Sequence, residues 1–353
     1  MTATPVSGEP VSGEPATGGP VSGETAGGGP ATGRPVRGES APGGSVAGEP
    51  TAGMRLPGRS PARRRVWRPP WPVDPGRTLA PHRRGAHDPA HRTTPDGAVW
   101  RASYTPEGPG TVRVLRRGDV IDALAWGPGA DWLLEGLPAL LGADDAPEAF
   151  EPRHEVLRVA ALRAEGMRIG RTGRVFEALV PAVLEQKVLA VEAWRAWGHL
   201  LRRFGEPAPG APGMRVPPPP EVWARIPSWE WHRSGAEAVR ARTIIGAARV
   251  AARLEADPAE RRLRTLPGIG VWTAAEIRQR AAGDPDAVSV GDYNLPGVVG
   301  WALAGRKVDD AGMLELLEPY AGHRHRVTRL LESTGTRPPR RGPRLPVRDY
   351  RSF

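Results

Sequence analysis

The five residues Leu266-Pro267-Gly268-Ile269-Gly270 constrain this chain more than any other stretch. Before them, Asp257-Pro258-Ala259-Glu260 predicts a helix start, with Asp257 as N-cap, Pro258 at the first helical position and Glu260 closing a capping box. After them, Trp272 opens a second helix that runs to about residue 283. A link this short needs positive φ or very close backbone approach, and Gly268 and Gly270 supply both. Leu266 and Ile269 can tuck into the helix pair and fix the turn. The second helix then begins with free N–H groups and no side chain in front of them, which suits a phosphate. An ordinary helical hairpin with glycine caps would use the same residues.

Residues 1–60 are degenerate five-residue repeats, "PVSGE PVSGE PATGG PVSGE", with nothing large and apolar to offset ordering entropy. They read as a disordered low-complexity segment, and Met54 is an alternative start. Residues 62–130 read as a small mixed β-rich domain. "AVWRASY" alternates, "TPEGPG" is a turn, and "TVRVLRRGDVIDALAW" is a hairpin turning near Arg117-Gly118. Such strands need a helix or a neighbouring domain to cover one face.

Residues 131–335 read as helical. Asp131 is a possible N-cap for "DWLLEGLPALLG". The spacing of Leu179, Val183, Gln186, Ala190, Ala193, Trp197 and Leu200 predicts one long helix over 175–203. The stretch 206–220 is a Pro/Gly-rich loop, and a helix follows with Ala241, Ile245, Ala248 and Ala252 on one side. Helices at roughly 309–318 and 320–333 complete a bundle, and 336–353 is a basic, flexible tail. The fold class is α+β: a small N-terminal mixed β domain followed by a helical bundle, with a disordered N-terminal extension.

The chain has 49 Lys+Arg against 39 Asp+Glu, a formal charge of +10. The repeats carry five Glu and four Arg, so the excess lies in the remainder. A polyanionic partner is consistent with this. Only Lys187 and Lys307 are lysines, however, and an arginine-, glycine- and proline-rich composition also arises from genome bias, so charge alone decides nothing. The absence of cysteine excludes disulfides, cysteine-based zinc sites and iron–sulfur clusters. No apolar run has membrane-spanning length, so a cytoplasmic, nucleoid-associated protein is expected.

"LPGIGVWTA", followed by Asp292 in "VGDY", resembles the helix-hairpin-helix superfamily of DNA glycosylases, above all the bacterial 3-methyladenine DNA glycosylase II group. The likeness covers roughly residues 76–335, and "VLEQKVLAVEAWRAW" adds a second match, to a helix that the family places against DNA. The resemblance implies an enzyme of base excision repair. It would flip a damaged base out of duplex DNA and hydrolyse its N-glycosidic bond. Asp292 matches the family's essential aspartate; by its position alone it could simply cap the next helix.

Bifunctional members carry a lysine where this chain has Trp272, so the resemblance implies base removal without strand cleavage. Trp272, Tyr293 and Gln186 are the expected base-pocket residues, although Trp272 could be core and Gln186 could hydrogen-bond backbone. Leu266, Gly268, Ile269, Gly270, Thr273 and Lys187 are the expected contacts to the DNA backbone. Lys187 stands where the family often has an apolar wedge, a departure that puts that role in doubt: Lys187 could contact phosphate instead, or Val188 could do the wedging. "YAGHRHRV" could line the pocket or meet the backbone, and "WHRSG" could be a second loop near DNA. No metal or organic cofactor is expected beyond a monovalent cation at the hairpin carbonyls. The partner is double-stranded DNA with damaged bases, and the protein is expected to be a monomer. The rival readings are a non-catalytic hairpin protein that binds damaged DNA, and a glycosylase for oxidised or deaminated bases.

Overall fold

A five-stranded antiparallel sheet in the order β1-β5-β4-β3-β2 opens the part of the chain that the computed structural model describes, residues 61–339. The expectations for the repeats and for most of the basic tail lie outside those residues. The strands are β1 (Arg63–Trp67), β2 (His91–Thr93), β3 (Val99–Thr105), β4 (Gly108–Arg117) and β5 (Val120–Trp126), with α1 (Pro75–Leu79) between β1 and β2. The two hairpin turns fall at Pro106-Glu107 and at Gly118-Asp119, as expected. Helices α2 (Ala130–Glu135) and α3 (Leu137–Leu140) cover one face, where Val112, Val114, Ile121, Leu133, Leu137 and Leu141 form a core. Asp131 is not the N-cap of α2, because the helix starts one residue earlier, after Gly129. It lies in the first turn, near the positive helix end, and pairs with Arg63 of β1.

The helices follow in order: α4 (Glu155–Arg163), α5 (Val175–Leu184), α6 (Ala190–Phe204), α7 (Pro220–Trp223), α8 (Ser228–Ser234), α9 (Ala238–Ala248), α10 (Ala251–Ala256), α11 (Glu260–Leu263), α12 (Val271–Ala281), α13 (Leu295–Ala304), α14 (Asp310–Leu317) and α15 (Arg324–Ser333). Between α6 and α7 the expected loop also contains a two-stranded ribbon, β6 (Glu206–Pro207) with β7 (Arg215–Val216). Sheet and helices have separate apolar cores but belong to one compact unit.

The single helix expected over 175–203 is two helices. Lys187 adopts φ +54°, and α6 restarts when the Glu192 carboxylate accepts from the Leu189 N–H at 3.1 Å. The apolar face survives the break, because Leu179, Val183, Ala193, Trp197 and Leu200 all reach one core. The α9 face is likewise phase-shifted. Ile244 is buried where Ile245 was expected, and Ala252 is exposed because the chain bends after Ala248. Asp257 is not a helix N-cap either. It ends α10 and accepts from the Ala259 N–H, while α11 starts at Glu260, whose carboxylate pairs with Arg264 and Arg278 instead of closing a capping box.

Candidate active site

The α11–α12 corner is built from inside outward. Ile269 is buried among Leu263, Ala274 and Ile277, and half-buried Leu266 packs beside them, so their side chains hold the turn and only backbone faces out. Gly268 has φ +86°, and a Cβ there would collide with the Thr243 hydroxyl of α9. Gly270 differs: it is extended (φ −91°, ψ −176°), and a Cβ would have nothing within 4 Å. Nothing inside the chain therefore demands a glycine at the mouth of α12.

The α5–α6 break grips this corner. The Gln186 side-chain amide donates to the Gly268 carbonyl (2.9 Å) and to Thr273 Oγ1 (2.8 Å), and the Gln186 carbonyl accepts from Arg240 Nε (3.0 Å). Gln186 thus braces the hairpin through its side-chain amide, the backbone role its sequence position also allowed. Thr273, expected at the DNA backbone, is buried with its hydroxyl spent on Gln186, so only its main chain can face a ligand. Lys187 stands exposed at the crest of the break.

One face of α12 carries Trp272, Glu276, Gln279 and Arg280, and residues 287–292 run alongside it. Gln279 donates to the Ala287 carbonyl (2.8 Å) and to Ser289 Oγ (2.9 Å), and Ser289 donates to Glu276 (2.6 Å). At the hairpin end the Trp272 indole N–H donates to Asp292 Oδ2 at 3.1 Å. The other oxygen, Oδ1, accepts from the Asn294 and Leu295 N–H groups at 2.8 and 2.9 Å, just ahead of α13, whose N-cap is Asn294 and not Asp292. Asp292 thus holds the chain entering α13 without being its N-cap, and its Oδ2 edge is turned to Trp272. All three donors are neutral, Asp292 is half-buried, and it has no ion pair among the described residues.

Glu276, Gln279 and Ser289 were missed by sequence reasoning. The signal was available: Glu276 and Gln279 lie four and seven positions after Trp272, on the same helix face. Tyr293, expected in the base pocket, is 87% exposed and stands off this site. In "YAGHRHRV", His325 and Arg326 are buried, Arg326 pairs with Asp145, and Arg324 pairs with Asp286, so the stretch is largely structural. In "WHRSG", Trp231 is buried against Trp223.

A second polar cluster lies towards the far end of α12 and shares Glu276 with the first. Arg280 pairs with Glu276 (2.7 Å), Arg101 with Glu177, and Arg84 with Glu185 (3.4 Å). Around a cavity of about 30 Å³, the size for a water or two, Arg84 Nε, both ring nitrogens of His91 and Glu177 Oε2 have no partner among the described residues. Burial, then the nearby Arg101 charge, pulls the His91 pKa down to about 3. Among the described residues no group of three or more His, Asp or Glu side chains could hold a metal ion, and no helix is long and apolar enough to cross a membrane.

No family model matches the chain. It is 31% identical over 214 residues to the probable bifunctional transcriptional activator/DNA repair enzyme AlkA of Mycobacterium tuberculosis, a match covering 57% of this chain and 43% of that protein. The chain therefore spans less than half the length of the curated relative. Among solved structures, the 3-methyladenine DNA glycosylase of Archaeoglobus fulgidus superposes with a TM-score of 0.66 at 18% identity, over 76% of this chain and 98% of that one. The 8-oxoguanine glycosylase/lyase of Clostridium acetobutylicum, solved in complex with double-stranded DNA, gives 0.62 at 11% identity, over 79% and 99%. The chain thus has the fold of the helix-hairpin-helix DNA glycosylases, and the resemblance read from its sequence holds.

Proposed function

We propose that this chain is a monofunctional DNA N-glycosylase that removes alkylated purines, of the 3-methyladenine kind, from duplex DNA and leaves an abasic site. The observation that carries this reading is Asp292, a carboxylate beside the hairpin whose hydrogen bonds come only from neutral groups. Its charge is held in place and, among the described residues, not neutralised by any cation. Such a group can face a sugar carbon that becomes positive as the base departs.

An alkylated purine is already cationic, so it leaves with the electron pair of the glycosidic bond and becomes neutral. Water then adds to C1′, and its proton passes to Asp292 or to solvent. Little acid catalysis of departure is needed, which suits a site with one uncompensated carboxylate. The Trp272 N–H is committed to Asp292, which leaves the indole face for the base. A cation over an aromatic face gains about 0.5–2 kcal/mol. Trp272 has no amine to attack C1′, so the reaction stops at base removal.

Reaching the bond requires flipping the nucleotide out of the stack. Gly268, Gly270 and the first N–H groups of α12 form the backbone clamp, with duplex DNA as partner and one copy of the chain sufficient. Lys187, raised on a strained backbone and braced through Gln186, is placed to meet the gap or a neighbouring phosphate. The family's monovalent cation would be held by the Leu266 and Gly268 carbonyls. Each already accepts one hydrogen bond and keeps a second lone pair.

The test is single-turnover release of 3-methyladenine and 7-methylguanine by Asp292→Asn. Excision should collapse while duplex affinity stays within about twofold, and borohydride should trap no protein–DNA adduct with either protein. An unchanged excision rate overturns the assignment. DNA binding without any base release by the wild-type protein favours the non-catalytic rival.

A further inference from the structure

We infer that the outer face of α9 is a second DNA-backbone contact, a phosphate track lying beside the hairpin clamp and lengthening the protein's footprint along the duplex. The inference rests on DNA being the substrate of the proposed site. It does not require that a base be excised.

The face is defined by spacing. Val239, Arg242, Gly246 and Arg249 recur at steps of three, four and three, which places them on one side of the helix, and all four are exposed. The opposite side is buried through Ala241, Ile244 and Ala248. Neither Arg242 nor Arg249 has an ion pair or side-chain hydrogen bond among the described residues, although most arginines nearby are paired. No acid lies between Glu237 and Glu255 in the sequence, so the face has no carboxylate of its own.

Gly246 supplies an independent argument. It lies inside a regular helix, has no left-handed φ, and a Cβ there would meet nothing within 4 Å. Glycine in such a position weakens a helix, and no neighbour in the chain requires it. It stands between two free guanidinium groups, where a bare backbone lets another chain come close. Gly270 at the mouth of α12 shows the same combination of exposure and no internal demand.

Position links the two glycines. Thr243, on the flank of this face, is the residue that a side chain at Gly268 would strike, so α9 runs past the hairpin itself. Arg242 and Arg249 are two helical turns apart, about 10 Å along the axis. A duplex presents roughly six phosphate charges over that length. Arginines on a helix face beside a backbone clamp, with no base-reading element between them, suit phosphodiester oxygens and not base edges.

The experiment measures affinity for a duplex carrying a tetrahydrofuran abasic analogue as a function of KCl concentration. Each lost phosphate contact flattens the log–log slope by about 0.9, so Arg242→Ala/Arg249→Ala should flatten it by about 1.8 and weaken binding. Arg163→Ala, which removes from α4 an exposed arginine with no ion pair among the described residues, should leave the slope unchanged. Gly246→Leu should keep the thermal melting of the fold and still weaken the duplex. A double-variant slope equal to wild type, or a Gly246→Leu affinity equal to wild type, overturns the inference. Base release is read separately in the same preparations. A protein that binds through this face and excises nothing would refute the glycosylase reading and leave the track standing.

Discussion

The two polar clusters along α12 use similar groups to opposite ends. Towards its C-terminal end, three carboxylates face an arginine, Glu177 with Arg101, Glu185 with Arg84 and Glu276 with Arg280, while Asp88 beside them is held, like Asp292, by an indole and two main-chain N–H groups. At its N-terminal end, Asp292 is held by an indole and two main-chain N–H groups and faces no cation. A buried pair cancels its own field and serves the fold; breaking it strands a charge. A carboxylate fixed by neutral donors keeps its field and can act on a charge that appears only during a reaction. Degree of compensation separates Asp292 from the arginine-paired acids, and its half-buried place beside the hairpin separates it from Asp88, which neutral donors hold inside the buried cluster.

That contrast can be broken most directly at Asp292. Asp292→Asn should slow excision by about 10²–10⁴-fold. Unfolding in urea should change little, because an asparagine side-chain carbonyl can still accept from the Asn294 and Leu295 N–H groups. Arg101→Ala should do the reverse, costing about 3–5 kcal/mol of stability by leaving Glu177 buried and unpaired. Its single-turnover rate per folded molecule should match wild type; a selective loss of rate would merge the two clusters into one site.

Trp272→Phe sharpens the comparison. It removes one of three donors from Asp292, so a decrease in rate of about tenfold is expected, the worth of one hydrogen bond to a charged group. Duplex affinity in the same variant reports whether the indole also grips DNA.

The remaining effect concerns pH. His91 is held neutral down to about 3, whereas the unfolded chain takes up its proton near the ordinary 6.5. Below 6.5 the unfolded state therefore binds more protons, and stability falls as pH drops from about 6.5 towards 3. His325, also buried, is pulled down by desolvation and adds in the same direction. Melting temperatures measured between pH 7 and 4.5 should decline, and His91→Phe should flatten that decline.

The α11–α12 corner was legible in the sequence because its constraints are local. Gly268 has to adopt positive φ, Ile269 has to be buried, and both follow from residues adjacent in the chain. The sheet hairpins at Pro106-Glu107 and Gly118-Asp119 were legible for the same reason. The long helix over 175–203 was misread because its apolar period continues through the break. Periodicity reports which side of a segment is buried, and both halves bury the same side. The break itself depends on Lys187 turning left-handed, which the hairpin and Arg240 hold through Gln186, residues more than fifty positions away.

By itself the sequence determined the type of corner, the candidacy of Asp292 and the tryptophan in place of a lysine, all matters of residue type at short spacing. Only the tertiary structure decided that the Trp272 N–H reaches Asp292, that Gln186 serves the hairpin, that Tyr293 stands in solvent, and which carboxylates meet an arginine. The physical reason is that charge compensation acts through space. Whether an acid is neutralised depends on which helices and strands pack around it, and that is not written in the residues beside it.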